Sequence, residues 1–77
     1  MKVYVLENID RSGVFSTREK AIESARHCAE RCEWIELECK LEPWGAKMSF
    51  AYYNPVITQW QIADVTVLEY ELDEDNG

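Results

Sequence analysis

The segment that begins at Ser16 carries the clearest local signal in this sequence and most constrains the fold. Ser16 and Glu19 have the spacing of a capping box, in which a serine hydroxyl caps the N3 amide and a glutamate reaches back to the serine amide. We therefore predict a helix over residues 17–33. Its apolar positions lie within about 120° of one another on a helical wheel. Most of them are small: Ala21, Ile22, Ala25, Cys28, Ala29 and Cys32. Such a helix has to lie close against a sheet, whose larger side chains fill the space.

Two short strands are predicted before this helix. Residues 2–8 begin with β-branched and aromatic side chains on both faces, which is typical of an inner strand. Asp10 and Gly13 occupy the first and fourth positions of a predicted type I turn. Val14 and Phe15 are then expected to return antiparallel to the first strand.

Residues 34–42 alternate strictly between apolar and polar side chains, which predicts an antiparallel strand with one buried face. The predicted inward side chains are Ile35, Leu37, Cys39 and Leu41, and the predicted outward ones are Glu36, Glu38, Lys40 and Glu42. Residues 42–46 contain proline and glycine and break the strand. Met48, Phe50 and Tyr52 then indicate a further strand that ends at Asn54-Pro55.

The apolar phase of residues 56–72 shifts twice, near Asp64 and near Leu68. Two arrangements fit these shifts: a long strand with a bulge, or two strands with a short corner. Residues 73–77 are expected to form an acidic, frayed tail. The fold class predicted for residues 1–77 is one small α+β domain, with a single helix packed on a four- to five-stranded antiparallel sheet in the order ββαβββ.

The chain has 15 acidic and 8 basic side chains and a net charge of −7. Residues 1–33 hold six of each sign, whereas residues 34–77 hold nine acidic side chains against Lys40 and Lys47 alone. A phosphate backbone is bound by Lys and Arg, so we expect no direct binding of nucleic acid. A basic protein partner would be attracted instead.

The sequence predicts a cytoplasmic protein that does not enter a membrane. No apolar run approaches the roughly 20 residues that a membrane span needs, and an acidic residue comes too early for a signal-peptide core. Three cysteines are an odd number and do not suggest the disulfide framework of a secreted miniprotein. Reduced thiols are therefore expected.

The segments VYVLEN (residues 3–8), GVFSTREKAIESA (13–25) and VLEYELD (67–73) together resemble a family of small, largely uncharacterised phage and bacterial α+β proteins. The resemblance is best over the opening third of the chain, and the middle, with its three tryptophans, departs from it. The matching residues are folding residues, such as Phe15 and Ala21. The resemblance therefore implies a fold and a phage or prophage origin, and it implies no catalytic or ligand-binding role.

Metal binding and catalysis are weighed first among the candidate sites. Cys28 and Cys32 are one helical turn apart and Cys39 follows on a strand, a set of thiolates that would suit Zn²⁺. All three also occupy apolar positions, where free cysteine behaves as a small hydrophobic residue. His27 points away from them on the helical wheel and cannot easily activate Cys28. We predict no metal, no cofactor and no enzymatic activity.

The remaining candidate site is a protein-binding surface. The acidic residues predicted to face outward are Glu36, Glu38, Glu42, Glu69 and Glu71, and Trp44 and Tyr53 are predicted at the rim of that surface. Our hypothesis is a non-enzymatic, acidic protein-interaction module that is phage-encoded and binds a host protein. Two alternatives stay open: a nucleic-acid mimic that occupies a basic groove, and a homodimer with a structural role.

Overall fold

A helix lies across one face of an antiparallel sheet, as predicted. The computed structural model describes residues 1–9 and 13–72. Its elements are β1 (Lys2–Glu7), β2 (Val14–Phe15), α1 (Arg18–Arg31), β3 (Ile35–Glu42), β4 (Gly45–Asn54) and β5 (Gln59–Glu71). Over the described residues the five strands form one sheet in the order β2-β1-β5-β4-β3. The predicted fold class and the order ββαβββ are confirmed.

Strand β1 is the inner strand that its sequence predicts. It pairs with β2 on one side and with β5 on the other, antiparallel in both cases. Val3 and Leu6 lie on opposite faces of the strand, and both are buried. The predicted turn at residues 10–13 falls largely outside the described residues, and so does the predicted acidic tail at 73–77.

Helix α1 begins one residue later than the capping box predicts. Thr17 is the N-cap: its backbone is extended, and its hydroxyl accepts a hydrogen bond from the amide of Lys20 at 3.1 Å. Glu19 is therefore at N2 rather than N3, and the predicted capping box between Ser16 and Glu19 is wrong. Glu19 still lies in the first turn, where a carboxylate interacts favourably with the helix dipole.

The C-terminal end of α1 has the hydrogen bonds of a Schellman motif. Glu33 has a left-handed backbone, with φ of 61°. Its amide donates to the carbonyl of Glu30 at 3.1 Å, and the amide of Trp34 donates to the carbonyl of Ala29 at 2.8 Å. This turn ends the helix at Arg31, two residues before the predicted end, and starts the chain into β3.

The core lies between α1 and the sheet face beneath it. The small residues Ala21, Ala25 and Ala29 are at most 2% exposed. They bring the helix close to the large side chains of the sheet, as the sequence predicts. The sheet contributes Leu6, Ala46, Met48, Phe50, Val65 and Val67 to this core. The helical stripe is shorter than predicted, because Cys28 is half-buried and Cys32 is exposed.

Strand β3 contains a β-bulge that interrupts its predicted alternation. Glu36 pairs with Phe50 and Glu38 pairs with Ser49, so Leu37 is an extra residue between the two pairs. Phe50 belongs to the core under α1. Glu36 therefore lies on the helix-covered face, whereas Glu38 lies on the opposite face.

The predicted buried face of β3 is largely wrong as a result. Cys39 packs against the core, but Ile35, Leu37 and Leu41 are 54%, 54% and 62% exposed. The bulge moves Ile35 to the face opposite the helix. Leu41 shares a face with Cys39 but lies on a strand at the edge of the sheet, where α1 covers little.

Strand β5 is one continuous strand of 13 residues. It pairs with β4 over residues 59–68 and with β1 over residues 66–71, without a shift of register. The two phase shifts in its sequence therefore need no bulge or corner. They arise because the apolar side chains change faces along the strand. Trp60 and Ile62 lie on the face opposite α1, Val65 and Val67 lie on the core face, and Leu68 lies again on the face opposite α1.

The long β4–β5 hairpin makes the molecule elongated. Its principal extents are 55 × 20 × 16 Å, and its radius of gyration is 14.3 Å. A compact chain of this length would have a radius of gyration of about 11 Å. The hairpin therefore presents much of its length to solvent or to a partner.

The position of the helix cap is testable by two single substitutions. Thr17→Ala should lower the free energy of unfolding by about 1 kcal/mol, because it leaves the amide of Lys20 without its partner. Ser16→Ala, the matched control, should cost less than half as much. Urea unfolding followed by circular dichroism measures both. The reverse order would restore Ser16 as the cap.

Candidate protein-interaction surface

The face of the sheet opposite α1, which we call the open face, follows from the strand register. Directly paired residues on neighbouring strands project to the same side of a sheet, and side chains alternate along each strand. The core residues of β4 are even-numbered and those of β5 are odd-numbered. The open face is therefore formed by the odd-numbered residues 47–53 of β4 and the even-numbered residues 60–70 of β5.

One end of the open face is an apolar patch, the hairpin-end patch, formed by Ile35, Ala51, Tyr53, Trp60 and Ile62. Ile35, Ala51 and Ile62 form a continuous row across three strands. Ile62 is 67% exposed and Trp60 is 60% exposed. The rings of Tyr53 and Trp60 meet edge to face at 5.6 Å between centroids, which holds both in place.

The other end of the open face is also apolar. This β1-end patch consists of Val5, Val14, Leu68 and Tyr70, which β2, β1 and β5 bring together. Val14 is 68% exposed and Tyr70 is 49% exposed. The open face therefore has an apolar patch at each end.

Two charged rows separate the patches. The acid row consists of Glu38 and Asp64, which flank Ser49; the Ser49 hydroxyl donates to Asp64 Oδ1 at 3.1 Å. The lysine row consists of Lys40 and Lys47, which are directly paired on β3 and β4, and the same row continues through Thr66 on β5 to the exposed Glu7 on β1. Like charges placed directly opposite each other on neighbouring strands are unfavourable.

The sequence contains a signal for the hairpin-end patch, but the alternation of side chains within single strands does not reveal it. Residues 48–63 contain no charged side chain, although 30% of the whole chain is charged. Strands β4 and β5 meet in this stretch. A surface hairpin with no charge on either face is unusual, because one face of a solvated strand normally carries polar or charged residues. The run of 16 uncharged residues therefore marks the exposed apolar end.

The seven residues predicted as a binding site do not share one surface. Glu38, Glu42 and Tyr53 lie on the open face. Glu36, Glu69 and Glu71 lie on the helix-covered side, so the prediction of one outward acidic face is wrong for them. The causes are the bulge in β3 and the register of β5 against β1. Trp44 lies in the turn between β3 and β4 and is 42% exposed.

Glu36 has a structural partner on the helix. Arg26 donates from Nε to Glu36 Oε1 at 2.7 Å and from Nη2 to Oε2 at 3.1 Å, which is a two-pronged arrangement. The hydrogen bonds from Arg26 hold the pKa of Glu36 below its ordinary value of 4.5. Because this ion pair ties α1 to β3, Glu36 is not a free carboxylate for a partner.

Glu69 is engaged in a similar way at the other end of the helix-covered face. It accepts a hydrogen bond from the Tyr4 hydroxyl at 3.1 Å, and it forms an ion pair with Lys2 Nζ at 3.4 Å. Desolvation and this hydrogen bond to a carboxylate both raise the pKa of Tyr4 above its usual value. Glu71 pairs with the amino group of Met1 at 3.3 Å.

A groove runs between α1 and β3. Its lining includes Cys39 and Leu41 of β3 and Arg18 and Arg26 of α1. Arg18 donates to the carbonyls of Glu42 and Gly45, and Arg26 holds Glu36. Both cations are thus used to join elements, and no nucleophile–base pair converges here among residues 1–9 and 13–72.

Within the part of the chain that the structure describes, no group of three or more His, Cys, Asp or Glu side chains is placed to hold a metal ion. In the same residues, no helix has the length and apolar character of a membrane span. Comparison with protein-family models, with curated proteins and with solved structures gave no match.

The Arg26–Glu36 ion pair gives a pH-dependent prediction. Glu36→Gln should lower the free energy of unfolding by about 0.5–1 kcal/mol at pH 7, as expected for a partly exposed pair. Because the folded-state pKa of Glu36 is lowered, this contribution is complete above pH 4.5 and is lost as the pH falls through the folded-state value.

Urea midpoints of wild type and variant should therefore differ at pH 7 and converge near pH 2. Glu30→Gln, at an exposed helical position, serves as the control and should change the midpoint little at either pH. A difference that persists unchanged at pH 2 would show that the charge of Glu36 does not cause the effect.

Proposed function

We propose that this chain is a non-enzymatic protein-interaction module whose contact surface is the open face. The observation that carries the proposal is the distribution of exposed apolar side chains. Of the thirteen large exposed ones among the described residues, six lie on this face: Val14, Ile35, Tyr53, Trp60, Ile62 and Tyr70. Four of them, Ile35, Tyr53, Trp60 and Ile62, belong to the hairpin-end patch, and an exposed apolar patch of this kind marks a site where a protein binds another macromolecule.

The composition of the open face supports a protein as the bound macromolecule. Tyr and Trp are enriched among the residues that contribute most to binding free energy at protein interfaces. Tyr53 and Trp60 are such residues, and their edge-to-face contact reduces the side-chain entropy that binding would cost. The charged rows between the patches supply the polar contacts that fix the register of a partner.

The placement of the carboxylates favours this proposal over nucleic-acid mimicry. A mimic needs an unbroken line of free carboxylates that replaces phosphates. Glu36 and Glu69 are bound by Arg26, Lys2 and Tyr4 on the helix-covered side. The open face carries Glu7, Glu38, Glu42 and Asp64, but Lys40 and Lys47 lie among them, and Lys40 pairs with Glu42 at 3.6 Å.

A capture experiment with matched variants tests the proposal. Tagged wild type, a face variant (Trp60→Ser with Ile62→Ser) and a control variant (Leu41→Ser with Val56→Ser) are incubated with bacterial lysate that contains an untagged copy of the chain. The control removes two exposed apolar side chains, Leu41 (62%) and Val56 (88%), that lie off the open face, on the helix side and in the β4–β5 turn. Retained proteins are quantified by mass spectrometry.

We expect proteins held by wild type and by the control to be reduced at least tenfold with the face variant, since truncating an anchor residue costs about 2 kcal/mol or more. Circular dichroism confirms that all three chains are folded. Equal capture by the three chains would contradict the proposal.

A further inference from the structure

We infer that the outer edge of β3, together with the groove between α1 and β3, binds an extended segment of a partner protein as an added antiparallel strand. The segment that fits has basic, apolar, uncharged polar, apolar and basic residues in that order. This site is separate from the open face, so the inference goes beyond the proposed function. Three observations support it: the outward backbone groups of the edge, the groove beside them and the charges around both.

The backbone of β3 has hydrogen-bonding groups on the side where the sheet ends. Over the described residues β3 is an outermost strand. The amide of Glu69 donates to the carbonyl of Trp44 at 2.8 Å. Because hydrogen-bonded and non-hydrogen-bonded pairs alternate along an antiparallel ladder, the even-numbered residues of β4 bond to β5 and the odd-numbered ones bond to β3. The β3 partners of residues 45, 47 and 49 are Glu42, Lys40 and Glu38. Cys39 and Leu41 therefore direct their N–H and C=O groups outward, where an added strand can bond to them.

The groove lies beside this edge, on the helix-covered side of the sheet. Its lining includes Ile22 of α1 and the same Cys39 and Leu41 of β3. Leu41 is 62% exposed, and Cys39 is half-buried. Directly paired residues project to the same side of a sheet, so the residues of an added strand opposite Cys39 and Leu41 place their side chains in the groove. The apolar part of its lining favours apolar residues at these two alternate positions.

The charges that lack an ion pair around the edge and the groove are negative. Arg18 and Arg26 of the groove are bound by backbone carbonyls and by Glu36. In the described part of the chain, no ion pair is formed by the groove residues Glu19 and Glu23 or by the edge residue Glu38. Basic residues of an added strand would meet these carboxylates, in a chain of net charge −7.

The regular part of the edge is short. The bulge at Leu37 lies immediately before Glu38, and Pro43, which has no N–H, follows Glu42. An added strand therefore pairs regularly with residues 38–42.

The side chains of this run determine which residues the added strand carries. Glu38 and Glu42 each favour a basic residue opposite them. Lys40 lies between them and pairs with Glu42 at 3.6 Å, so an uncharged residue fits opposite Lys40. Together with the two apolar positions in the groove, this gives the pattern basic, apolar, uncharged polar, apolar, basic.

The β3 strand of a second copy does not provide this pattern. Antiparallel self-pairing over the whole regular run sets Lys40 against the same lysine of the second copy, and Glu38 against its Glu42. A shift of the register in one direction extends the pairing into the bulge, and a shift in the other direction brings in Pro43, which cannot donate a hydrogen bond. The occupant is therefore a segment of a different protein.

Backbone-methylated peptides test the inference. The probe is a capped peptide of sequence Thr-Lys-Val-Thr-Val-Lys-Thr, which has the predicted pattern at its centre. One derivative is N-methylated at both valines, whose N–H groups bond to β3 in an antiparallel addition. The matched control is N-methylated at both lysines, whose N–H groups then point away from β3. Binding to the purified ¹⁵N-labelled full chain is followed by nuclear magnetic resonance titration and by amide hydrogen exchange.

We expect the probe to slow hydrogen exchange at the amides of Cys39 and Leu41, which point outward. The amide of Lys40, which bonds to β4, should change less. Methylation of the valines should raise the dissociation constant of the probe at least about tenfold, because it blocks two hydrogen bonds to the edge. The lysine-methylated control should bind within about threefold of the probe.

Two charge variants of the chain test the role of the carboxylates. Glu38→Lys should raise the dissociation constant of the unmethylated probe about tenfold, because a like charge then faces its lysine. Glu7→Lys makes the same change of net charge on β1, which two strands separate from β3, and should raise it less than about threefold. Circular dichroism confirms that both variants are folded.

Several results would overturn the inference. The probe could fail to bind at roughly 1 mM, the two methylated peptides could bind equally, or the two charge variants could weaken binding equally, which would indicate attraction by net charge alone. Signal changes confined to the open face would also overturn it. None of these results affects the proposed function, whose capture experiment depends on Trp60 and Ile62 rather than on the edge of β3.

Discussion

Helix α1 covers only part of one face of the sheet, and this limited cover determines which sheet residues are buried and which stay exposed. At 1.5 Å per residue its 14 residues extend about 21 Å, whereas the 13 residues of β5 extend about 43 Å. The helix can bury the centre of one face, where Met48, Phe50, Val65 and Val67 lie. The far half of the β4–β5 hairpin and most of the opposite face contact either another partner or water.

The bulge in β3 affects both the core side and the candidate surface, because it changes the face to which two side chains point. It turns Glu36 toward α1, where Arg26 binds it, and it turns Ile35 toward the open face, where it completes the row with Ala51 and Ile62. One extra residue therefore removes a carboxylate from the predicted acidic face and adds an apolar side chain to the hairpin-end patch. Bulges frequently have this effect of redirecting side chains near functional sites.

The fold is predictable from the sequence where the apolar residues of an element repeat with a single period and all face the same core. The small-residue stripe of α1 and the period-two positions of β4 predict elements that the structure confirms. The bulge could not be read, because Ile35–Glu42 alternates without interruption and the shift arises from tertiary contacts of Trp34 and Glu36. Trp34 stacks on Tyr52 at 5.4 Å and lies 5.8 Å from Phe50, which places the start of β3 beyond the end of the helix.

The candidate surface was only partly predictable for a similar reason. Of the predicted residues, Glu38, Glu42 and Tyr53 lie on the open face, but the face of Glu69 depends on the register of β5 against β1, which the sequence does not give. The phase shifts in β5 predict either a bulge or a corner, whereas the strand is continuous and in register. The apolar residues of β5 change from one face to the other along the strand. The central part of the strand is apolar on the face that packs under α1, and both ends are apolar on the open face.

The open face is tested most directly by methyl spectra of the ¹³C-labelled chain, recorded alone and with a purified protein that the capture experiment retains. We expect shift changes or line broadening at Ile35 and Ile62, on the open face, and an unchanged signal from Ile22 under the helix. Changes confined to the helix-covered side, or no change at all, would contradict the open face as the contact surface.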